Sequence, residues 1–259
     1  MNAPDLFDLT GRTALITGGS RGLGLQIATA LGRYGARVLL SARKADELQH
    51  AQMQLKALDI DADWLAADNG TEAGVMALAD AALERLGRVD ILVNNAGASW
   101  GAAAEEYPLE AWDKIFNLNV RGLFLLSQQI GRRAMIPQRY GRILNIASIA
   151  GLRGNPPGQM QTIAYNSSKA AVINFTRTLA GEWGRHGITV NALAPGFFPS
   201  KLSNGLIRSV GAETLAAMTP LGRLGDDGDL MGAALLFASN AGKHITGQVL
   251  AVDGGYTAV

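Results

Sequence analysis

The amino-acid sequence predicts an α/β fold: a single doubly wound domain in which helices cover both faces of a seven-stranded parallel sheet. Three observations support this prediction. Short apolar runs alternate with amphipathic segments along the chain, the connections between them are short, and a glycine-rich segment joins the first apolar run to the first amphipathic one. No linker or charge block divides the 259 residues, so residues 1–259 are expected to form one domain.

The first half of the chain supplies four of the predicted strands. These strands are rich in β-branched and apolar residues, as expected for strands buried on both faces, whereas the predicted helices repeat apolar residues every three or four positions. Gly35 follows the first helical stretch, where a glycine typically ends a helix. The predicted elements are a strand over 13–17, a helix over 23–34, a strand over 37–41, a helix over 46–58, a strand over 63–66, a helix over 71–86 and a strand over 89–93.

The second half continues this alternation and adds one long connection. The predicted elements are a helix over 109–135, a strand over 142–146, a helix over 163–183, a strand over 188–193, a helix over 229–238 and a strand over 249–252. Residues 194–224 show no clear periodicity and are predicted to be irregular. Because long connections in compact domains often act as lids, residues 195–224 are predicted to form a substrate loop or lid.

Composition narrows the range of partners. A formal net charge of +1 gives no electrostatic basis for binding nucleic acid and favours a small-molecule ligand. Without a leader-like start or an uncharged apolar run of about 18 residues, we expect a cytoplasmic protein that does not enter a membrane. There is no cysteine, and His50, His186 and His244 are scattered without a metal-ligand pattern, so no metal is expected.

The glycine-rich segment directly follows the first predicted strand. Gly18, Gly22 and Gly24 lie at the junction with the first helix, where missing side chains allow a sharp turn and let a phosphate approach the amides of a helix N-terminus. The spacing is a variant of the dinucleotide-binding pattern, which makes the predicted domain Rossmann-like. A glycine-rich turn without a ligand remains the alternative interpretation.

The residues after the second strand indicate which cofactor to expect. An NAD-binding domain typically carries Asp or Glu about 20 residues beyond the glycines, to bind the ribose 2′-hydroxyl. Here Ala42 occupies that position, Arg43 follows it, and Arg21 lies inside the glycine segment. Because guanidinium groups bind phosphate bidentately, NADP(H) is the predicted cofactor and NAD(H) the alternative. The other interpretation is that both arginines only face solvent.

Tyr165 and Lys169 are the candidate catalytic pair. They are four residues apart in a predicted helix and therefore project from one face. An ammonium group favours a neighbouring phenolate, so Lys169 is expected to lower the pKa of Tyr165 and to let it exchange a proton with a substrate oxygen near neutral pH. A lone Tyr-x-x-x-Lys also occurs by chance, so this assignment depends on the rest of the chain.

Several motifs occur together in an order that resembles the short-chain dehydrogenase/reductase family. They are the glycine segment at 17–24, Asn-Asn-Ala-Gly at 94–97, Ser148, Tyr165 with Lys169, Pro195-Gly196, and Val-Asp-Gly-Gly at 252–255. The resemblance covers nearly the whole chain, and the combination is more specific than any one motif.

This resemblance implies roles for individual residues. Ser148 would hydrogen-bond the substrate oxygen, Tyr165 would be the acid or base, Lys169 would also hold the nicotinamide ribose, and Asn119 would anchor a relay water. Asp68 would meet the adenine, although purely structural roles remain open for Asp68 and Asn119. The implied cofactor contacts are Gly18, Ser20, Arg21, Gly22, Leu23, Gly24, Arg43, Asp68, Asn69, Asn95, Ala96, Gly97, Tyr165, Lys169, Pro195, Gly196, Phe198 and Ser200.

The chain departs from the family pattern at two places. Ser200 stands where the family usually has a Thr near the nicotinamide carboxamide, so a hydroxyl is kept. The segment 154–162 makes the connection between Ser148 and Tyr165 roughly four residues longer than usual, in a region where loops carry specificity. We expect this segment to form one wall of the substrate mouth, with Met160 near the pocket.

The predicted reaction is reversible hydride transfer between NADP(H) and a ketone or secondary alcohol. Mostly apolar candidate pocket residues favour a 3-oxoacyl-type or related carbonyl substrate, in line with a resemblance to 3-oxoacyl reductases. A gluconate-type sugar-acid or polyol dehydrogenase is the alternative, because residues 6–17 also resemble those enzymes and Arg153 is a candidate partner for a carboxylate, unless it only faces solvent. The candidate pocket residues are Trp100, Leu152, Met160, Phe197 and Phe198.

Other classes of protein are less compatible with the sequence. The set of four catalytic-type residues argues against a catalytically silent dinucleotide-binding sensor, and the length leaves no room for the substrate domain of a nucleotide-sugar epimerase. The resemblance also implies a homotetramer, assembled through the helix ending near Met135, the helix following Tyr165 and the final strand. A candidate acyl-carrier docking face, or a plain solvated face, consists of Arg132, Arg133, Arg139 and Arg185.

Overall fold

Seven strands form one sheet in a computed structural model that describes residues 3–156 and 160–259. The strands are β1 (Thr13–Thr17), β2 (Arg37–Ala42), β3 (Ala62–Ala66), β4 (Ile91–Asn94), β5 (Gly141–Ile146), β6 (Ile188–Pro195) and β7 (Val249–Val252). Their order is β3-β2-β1-β4-β5-β6-β7, and every neighbouring pair is parallel. The predicted fold class is confirmed. Because the strand order reverses between β1 and β4, a crevice is expected at their carboxyl ends.

Helices connect the strands in the predicted alternation. They are α1 (Gly22–Arg33), α2 (Ala45–Lys56), α3 (Glu72–Leu86), α4 (Leu109–Phe116), α5 (Leu123–Ile130), α6 (Ile136–Gln138), α7 (Ile163–Trp183), α8 (Asn204–Val210), α9 (Ala212–Ala217) and α10 (Met231–Ala238). The predicted helix over 109–135 is present as α4 to α6, joined by two π-helical stretches, Asn117–Gly122 and Gly131–Met135.

The prediction of an irregular segment over 194–224 was wrong, because this segment contains α8 and α9. Both helices are short, with 7 and 6 residues, and Gly211 separates them with a φ of +94° that breaks any continuous helical pattern. One turn or two of helix is too short to produce a recognisable apolar repeat.

The two faces of the sheet pack against different helices. Ile16 and Leu40 point to one face and pack with buried side chains of α1, α2 and α10, such as Ile27. Leu15 and Leu39 point to the other face and pack with α3, α5 and α7. Successive residues of a strand therefore enter opposite layers, and burial on both faces explains the uninterrupted apolar runs in the sequence.

The structure also bears on the membrane. Across the described part of the chain, no helix combines the length and the apolar character needed to cross a bilayer.

Candidate active site

A cleft of about 650 Å³ lies where β5 and β6 end and α7 begins. Ser148 and Tyr165 both line it, beside Phe197 and Tyr256. Since the carboxyl ends of parallel strands share one edge of the sheet, this is the position at which the fold predicts a ligand site.

Close packing between two segments brings Ser148 to Tyr165. Ser148 begins a 3₁₀ turn, Ile149–Gly151, and its Oγ accepts a hydrogen bond from the Ala150 amide at 3.2 Å. A Cβ on Gly151 would lie 2.6 Å from the carbonyl carbon of Lys169, so only glycine lets this turn approach the backbone of α7. The Ser148 hydroxyl is consequently close enough to Tyr165 to lower the pKa of the phenol.

Lys169 lies below Tyr165 in a buried position. Its side chain is only 5% exposed, and its Nζ donates a hydrogen bond of 2.6 Å to the carbonyl oxygen of Ile146 at the end of β5. The Nζ atom is 5.6 Å from the centroid of the Tyr165 ring. Burial lowers the pKa of Lys169 to about 8, because removal from water disfavours the charged form.

The structure contradicts the expected direction of the Tyr165 pKa shift. Burial raises the pKa of Tyr165 above its usual value, and the hydrogen bond with Ser148 only partly opposes this effect. The predicted lowering by Lys169 is absent: the Lys169 ammonium group donates to a backbone carbonyl oxygen, and its own pKa is lowered by burial. The Tyr165 phenol is therefore the dominant form at neutral pH.

Asn119 lies in the first π-helical stretch, a local distortion that is frequent at functional sites. Its side chain accepts a hydrogen bond from the Ala98 amide at 2.9 Å and donates to the Ala98 carbonyl at 3.0 Å and to Ser168 at 2.9 Å. Ser168 in turn donates to the Tyr165 carbonyl at 2.8 Å. The Asn119 side chain thus ties the loop after β4 to the start of α7, and its role as a water anchor stays a prediction.

The glycine segment forms an open helix N-terminus. Gly18 and Gly22 have φ angles of +64° and +54°, a region that favours glycine, and no side chain caps the start of α1. A Cβ on Gly24 would lie 2.3 Å from the Gly18 carbonyl oxygen, so the turn needs glycine there too. The Asn95 side chain donates to the carbonyl oxygens of Thr17 and Gly18, at 2.9 and 3.0 Å. Free amides at this end suit a pyrophosphate.

The adenosine side shows a second sign of a ligand. Asn69 is buried, and its Oδ1 atom finds no hydrogen-bond partner in the described ranges, 3–156 and 160–259. A buried acceptor without a donor is unfavourable, and an adenine amino group supplies donors of the required kind. Asp68 is exposed, and its carboxylate accepts from the Gly70 amide at 2.9 Å. The residues present therefore fit a dinucleotide.

Two further stretches complete the cofactor side. The Ala96 amide donates to Thr17 Oγ1, and a Cβ on Gly97 would lie 3.5 Å from Lys169 Nζ, so the end of β4 adjoins the candidate catalytic residues. A Cβ on Gly22 would lie 3.9 Å from Ser200 Cβ, which brings the segment after β6 to the glycine turn.

The residues after β6 are divided between core and cleft. The Gly196 amide donates to the Val252 carbonyl oxygen at 3.0 Å, which holds the Pro195-Gly196 bend against β7. Phe197 lines the cleft, whereas Phe198 is 5% exposed and packs in the core below the sheet edge. The prediction that Phe198 lines the substrate pocket was wrong, and its contact with cofactor stays a prediction.

Arg21 and Arg43 are near the end of β2, as the sequence suggested, but a carboxylate accompanies them. Glu47 in the first turn of α2 forms ion pairs with Arg21 at 2.5 Å and with Lys44 at 3.3 Å. Arg21 therefore has a carboxylate partner, and its contact with a 2′-phosphate stays a prediction. Glu47 was not among the candidate residues, although an acidic residue five positions beyond the end of β2 is visible in the sequence.

Some of the candidate pocket residues line the cleft, and others do not. Met160 lines the cleft together with Phe197 and Arg153. Trp100 instead packs edge-on against Tyr107 at 5.1 Å, and Leu152 is exposed, so neither lines the cleft.

One wall of the cleft comes from α8 and the residues just before it, within the predicted substrate loop or lid at 195–224. The individual side chains of this wall were not among the candidate residues, because the stretch was predicted to be irregular. The lining residues there are Leu202, Ser203, Leu206, Ser209 and Val210.

The long connection before α7 is held by a small amide network. Asn166 donates to Asn155 Oδ1 at 3.0 Å and accepts from the Thr162 hydroxyl at 2.8 Å, and Asn155 also donates to the Met160 carbonyl. The predicted wall at 154–162 is thus tied to the residue after Tyr165. Of its members, Pro157, Gly158 and Gln159 lie outside the described residues.

These features together define a class of protein, the dinucleotide-binding α/β oxidoreductases. The site contains no candidate metal centre: within residues 3–156 and 160–259, no three His, Asp or Glu side chains gather closely enough to hold an ion.

Comparison with known proteins identifies the family. The family model of the short chain dehydrogenases matches residues 12–209. The chain is 40% identical to gluconate 5-dehydrogenase of Gluconobacter oxydans (strain 621H), with 99% of each chain covered. It is 42% identical to a rhamnolipids biosynthesis 3-oxoacyl acyl-carrier-protein reductase of Pseudomonas aeruginosa, with 96% of this chain and 98% of the relative covered. The chain therefore belongs to the short-chain dehydrogenase family and is a dehydrogenase or reductase acting on CH–OH or carbonyl groups.

Solved structures show the same relationship. A gluconate 5-dehydrogenase from Burkholderia cenocepacia J2315, in complex with NADP and tartrate, superposes with a TM-score of 0.93 at 35% identity and covers 100% of both chains. An active-site complex of Pseudomonas aeruginosa RhlG with NADP has a TM-score of 0.90 at 40% identity and covers 99% of both chains.

The contact at Gly151 yields the first prediction. Gly151→Ala places a methyl group against the α7 backbone, so we expect the free energy of unfolding to fall by roughly 1–3 kcal/mol, as for other overpacked sites. Displacement of Ser148 from Tyr165 by about 1 Å lowers kcat about 100-fold. Denaturant unfolding and steady-state kinetics measure both effects.

Gly181→Ala is the matched control, because a Cβ at Gly181 on α7 meets nothing within 4 Å. This variant is expected to be neutral or stabilising by about 0.5–1 kcal/mol, with unchanged kcat. Full activity in Gly151→Ala contradicts the positioning of Ser148 by this contact.

The second prediction concerns Lys169 and pH. Its pKa falls from 10.5 to about 8 on folding, so between these pH values the unfolded chain binds more protons than the folded chain. The free energy of unfolding therefore gains up to about 3 kcal/mol from this group as pH rises through that range. Urea unfolding at several pH values should show this gain in the wild type and its loss in Lys169→Met. Equal slopes in both proteins rule out the lowered pKa.

Proposed function

We propose that this chain transfers a hydride between NADP(H) and a ketone or secondary alcohol, with Tyr165 as the proton donor or acceptor. The neighbouring positions of Ser148 and Tyr165 at the wall of the cleft carry this proposal. A hydroxyl and a phenol that lie side by side can each donate its one O–H to a single substrate oxygen.

Each catalytic side chain has a separate task in the proposed reaction. Ser148 binds and orients the substrate oxygen, and Tyr165 donates a proton to that oxygen as negative charge develops on it. The raised pKa of Tyr165 keeps this proton in place at neutral pH, which suits the reductive direction. Lys169, buried next to Gly97, is positioned to hold the nicotinamide ribose. When bound, the nicotinamide supplies or accepts the hydride.

The choice of NADP(H) rests on charge and on the relatives. Ala42 provides no carboxylate at the end of β2, and Arg21 and Arg43 supply two guanidinium groups near the glycine turn. Two relatives of similar structure were solved with NADP. The cofactor would lie along Gly18, Gly22 and the strand ends, with NAD(H) as the weaker alternative.

For the substrate, we propose a 3-oxoacyl-type or related carbonyl compound with an apolar portion. Ile149, Met160, Phe197, Leu206 and Val210 give the cleft a continuous apolar lining beyond Ser148 and Tyr165. A 3-oxoacyl reductase is among the most similar relatives.

A gluconate-type sugar acid or polyol is the second candidate, and one observation favours it. Arg153 is the only charged residue among the described residues that line the cleft. Its guanidinium group stacks on the Tyr256 ring, 4.9 Å from the centroid, which holds it at the cleft wall. A carboxylate on the substrate would find its partner there. Gluconate 5-dehydrogenase is also among the relatives.

We further propose that residues 195–224 act as a lid. Leu202, Ser203 and Leu206 from this segment line the cleft, and the bidentate pair of Arg223 with Asp229 anchors the far end of the segment, at 2.5 and 2.8 Å.

The alternative from another class of protein is a catalytically silent dinucleotide-binding sensor. A substrate screen distinguishes this sensor from an enzyme.

Assembly as a cytoplasmic homotetramer is part of the same proposal. Leu109 on α4 and Phe124 on α5 are exposed apolar residues, as is Leu250 on the edge strand β7. Apolar surface on these elements suits contacts between subunits. Light scattering that returns a monomer contradicts this assembly. A face for docking an acyl carrier stays a candidate only, and it would consist of Arg132, Arg133, Arg139 and Arg185.

A substrate screen tests the proposed function. We expect purified protein to oxidise NADPH with 3-oxoacyl thioesters, with keto sugar acids and simple ketones as the comparison panels. Tyr165→Phe removes the transferable proton and should lower kcat by roughly 10²- to 10⁴-fold, while the Kd for NADPH changes less than about twofold.

Unchanged turnover in Tyr165→Phe refutes the role of the phenol. Turnover confined to keto sugar acids establishes the second candidate. NADPH binding without turnover on any panel establishes the sensor.

Cofactor choice is tested by comparing KM for NADPH and NADH. We expect a lower KM for NADPH, and Arg43→Ala should raise that KM about tenfold or more, the usual scale for losing a charge-assisted hydrogen bond, while KM for NADH stays nearly constant. Arg132→Ala, which removes an exposed arginine on the long helix, is the matched control. Equal or better use of NADH by the wild type contradicts the NADP(H) assignment.

A further inference from the structure

The corner that receives the adenosine ribose holds an unassigned acidic side chain. Glu47 accepts hydrogen bonds from Arg21 Nη1 at 2.5 Å and from Ser20 Oγ at 3.4 Å, and it pairs with Lys44 Nζ at 3.3 Å. Two of its donors, Ser20 and Arg21, belong to the glycine segment itself. The carboxylate therefore binds directly to groups assigned above to the cofactor.

Glu47 is charged and partly shielded. Although partial burial raises it, hydrogen bonds from Arg21 and Lys44 leave the pKa of Glu47 below its usual value. The side chain is 24% exposed, against 49% for Arg21 and 60% for Lys44. An ionised carboxylate is thus fixed at neutral pH against the guanidinium group expected to meet a 2′-phosphate.

The two arginines of this corner differ in availability. Arg21 is engaged by Glu47, whereas the side chain of Arg43 makes no hydrogen bond or ion pair within the ranges 3–156 and 160–259. A phosphate monoester needs the same donors that Glu47 uses, and its negative charge repels the carboxylate. The 2′-hydroxyl of NAD(H) carries no charge and meets no such competition.

We propose that Glu47 determines cofactor discrimination by competing with the 2′-phosphate for Arg21. This inference rests on the proposed use of NADP(H). Glu47 restrains the preference that Arg21 and Arg43 create, so that NADP(H) binds less tightly than these two arginines alone would allow. Its effect falls on NADP(H) only, because NAD(H) has no 2′-phosphate to compete with Glu47 for Arg21.

Glu47→Gln tests this proposal, since it keeps the size and the polar atoms but removes the charge. Isothermal titration of the full chain at low ionic strength should give roughly three- to tenfold tighter binding of NADP⁺ and of 2′,5′-ADP, the scale of a partly exposed charge pair plus a repulsion. Binding of NAD⁺ and 5′-AMP should change less than about twofold. At about 0.5 M NaCl the gain should shrink, because salt screens both contributions.

Asp80→Asn is the matched control. It removes a surface ion pair of similar length, Asp80 with Arg133 at 2.6 Å, on α3 rather than at the glycine turn. No cofactor affinity should change in this variant, and thermal unfolding of both variants checks that the fold is intact.

Different failures point to different conclusions. If the wild type binds NADP⁺ and Glu47→Gln binds it equally or more weakly, or if the affinities for NADP⁺ and NAD⁺ rise together, competition by Glu47 is refuted while the proposed function stands. If the wild type does not bind NADP⁺ or 2′,5′-ADP, the proposed function fails and this inference fails with it.

Discussion

The close approach of one turn to one helix supports the whole candidate site. Gly151 lets the turn after β5 rest directly on the backbone of α7 at Lys169, and no other residue fits there without displacing one of the two segments. That contact places Ser148 beside Tyr165, and the Lys169 side chain reaches back to Ile146 at the end of β5. Strand, turn and helix are thereby joined around a few polar atoms in an otherwise apolar environment, where their interactions are strong.

Burial of these polar groups changes their acid–base chemistry. Both shifts, upward for the phenol of Tyr165 and downward for the ammonium group of Lys169, have the same cause, since each favours the uncharged form. A sequence shows that Tyr165 and Lys169 are near each other, but it does not show that they are removed from water. The expected lowering of the Tyr165 pKa failed for this reason.

The fold was largely predictable because its signals are local. Apolar runs buried on both faces, helical repeats such as that of Gly22–Arg33, and the glycine turn each appear within a short window of sequence. Elements shorter than such a window were missed, namely α8 and α9, so a substrate loop was predicted over 195–224 without the helix whose side chains line the cleft. Side-chain direction was also unpredictable: neighbouring Phe197 and Phe198 point to cleft and core. Glu47 was overlooked because its importance lies in its contacts with Arg21 and Ser20, which are 26 and 27 residues away in the chain.

The central claim is that Ser148 and Tyr165 act on one substrate oxygen as a unit. A double-mutant cycle on kcat tests it, with Ser148→Ala, Tyr165→Phe and the variant carrying both changes. Residues that act together are strongly non-additive, so the double variant should be no slower than Tyr165→Phe within about twofold. Rate losses that multiply, as expected for two independent sites, contradict the claim.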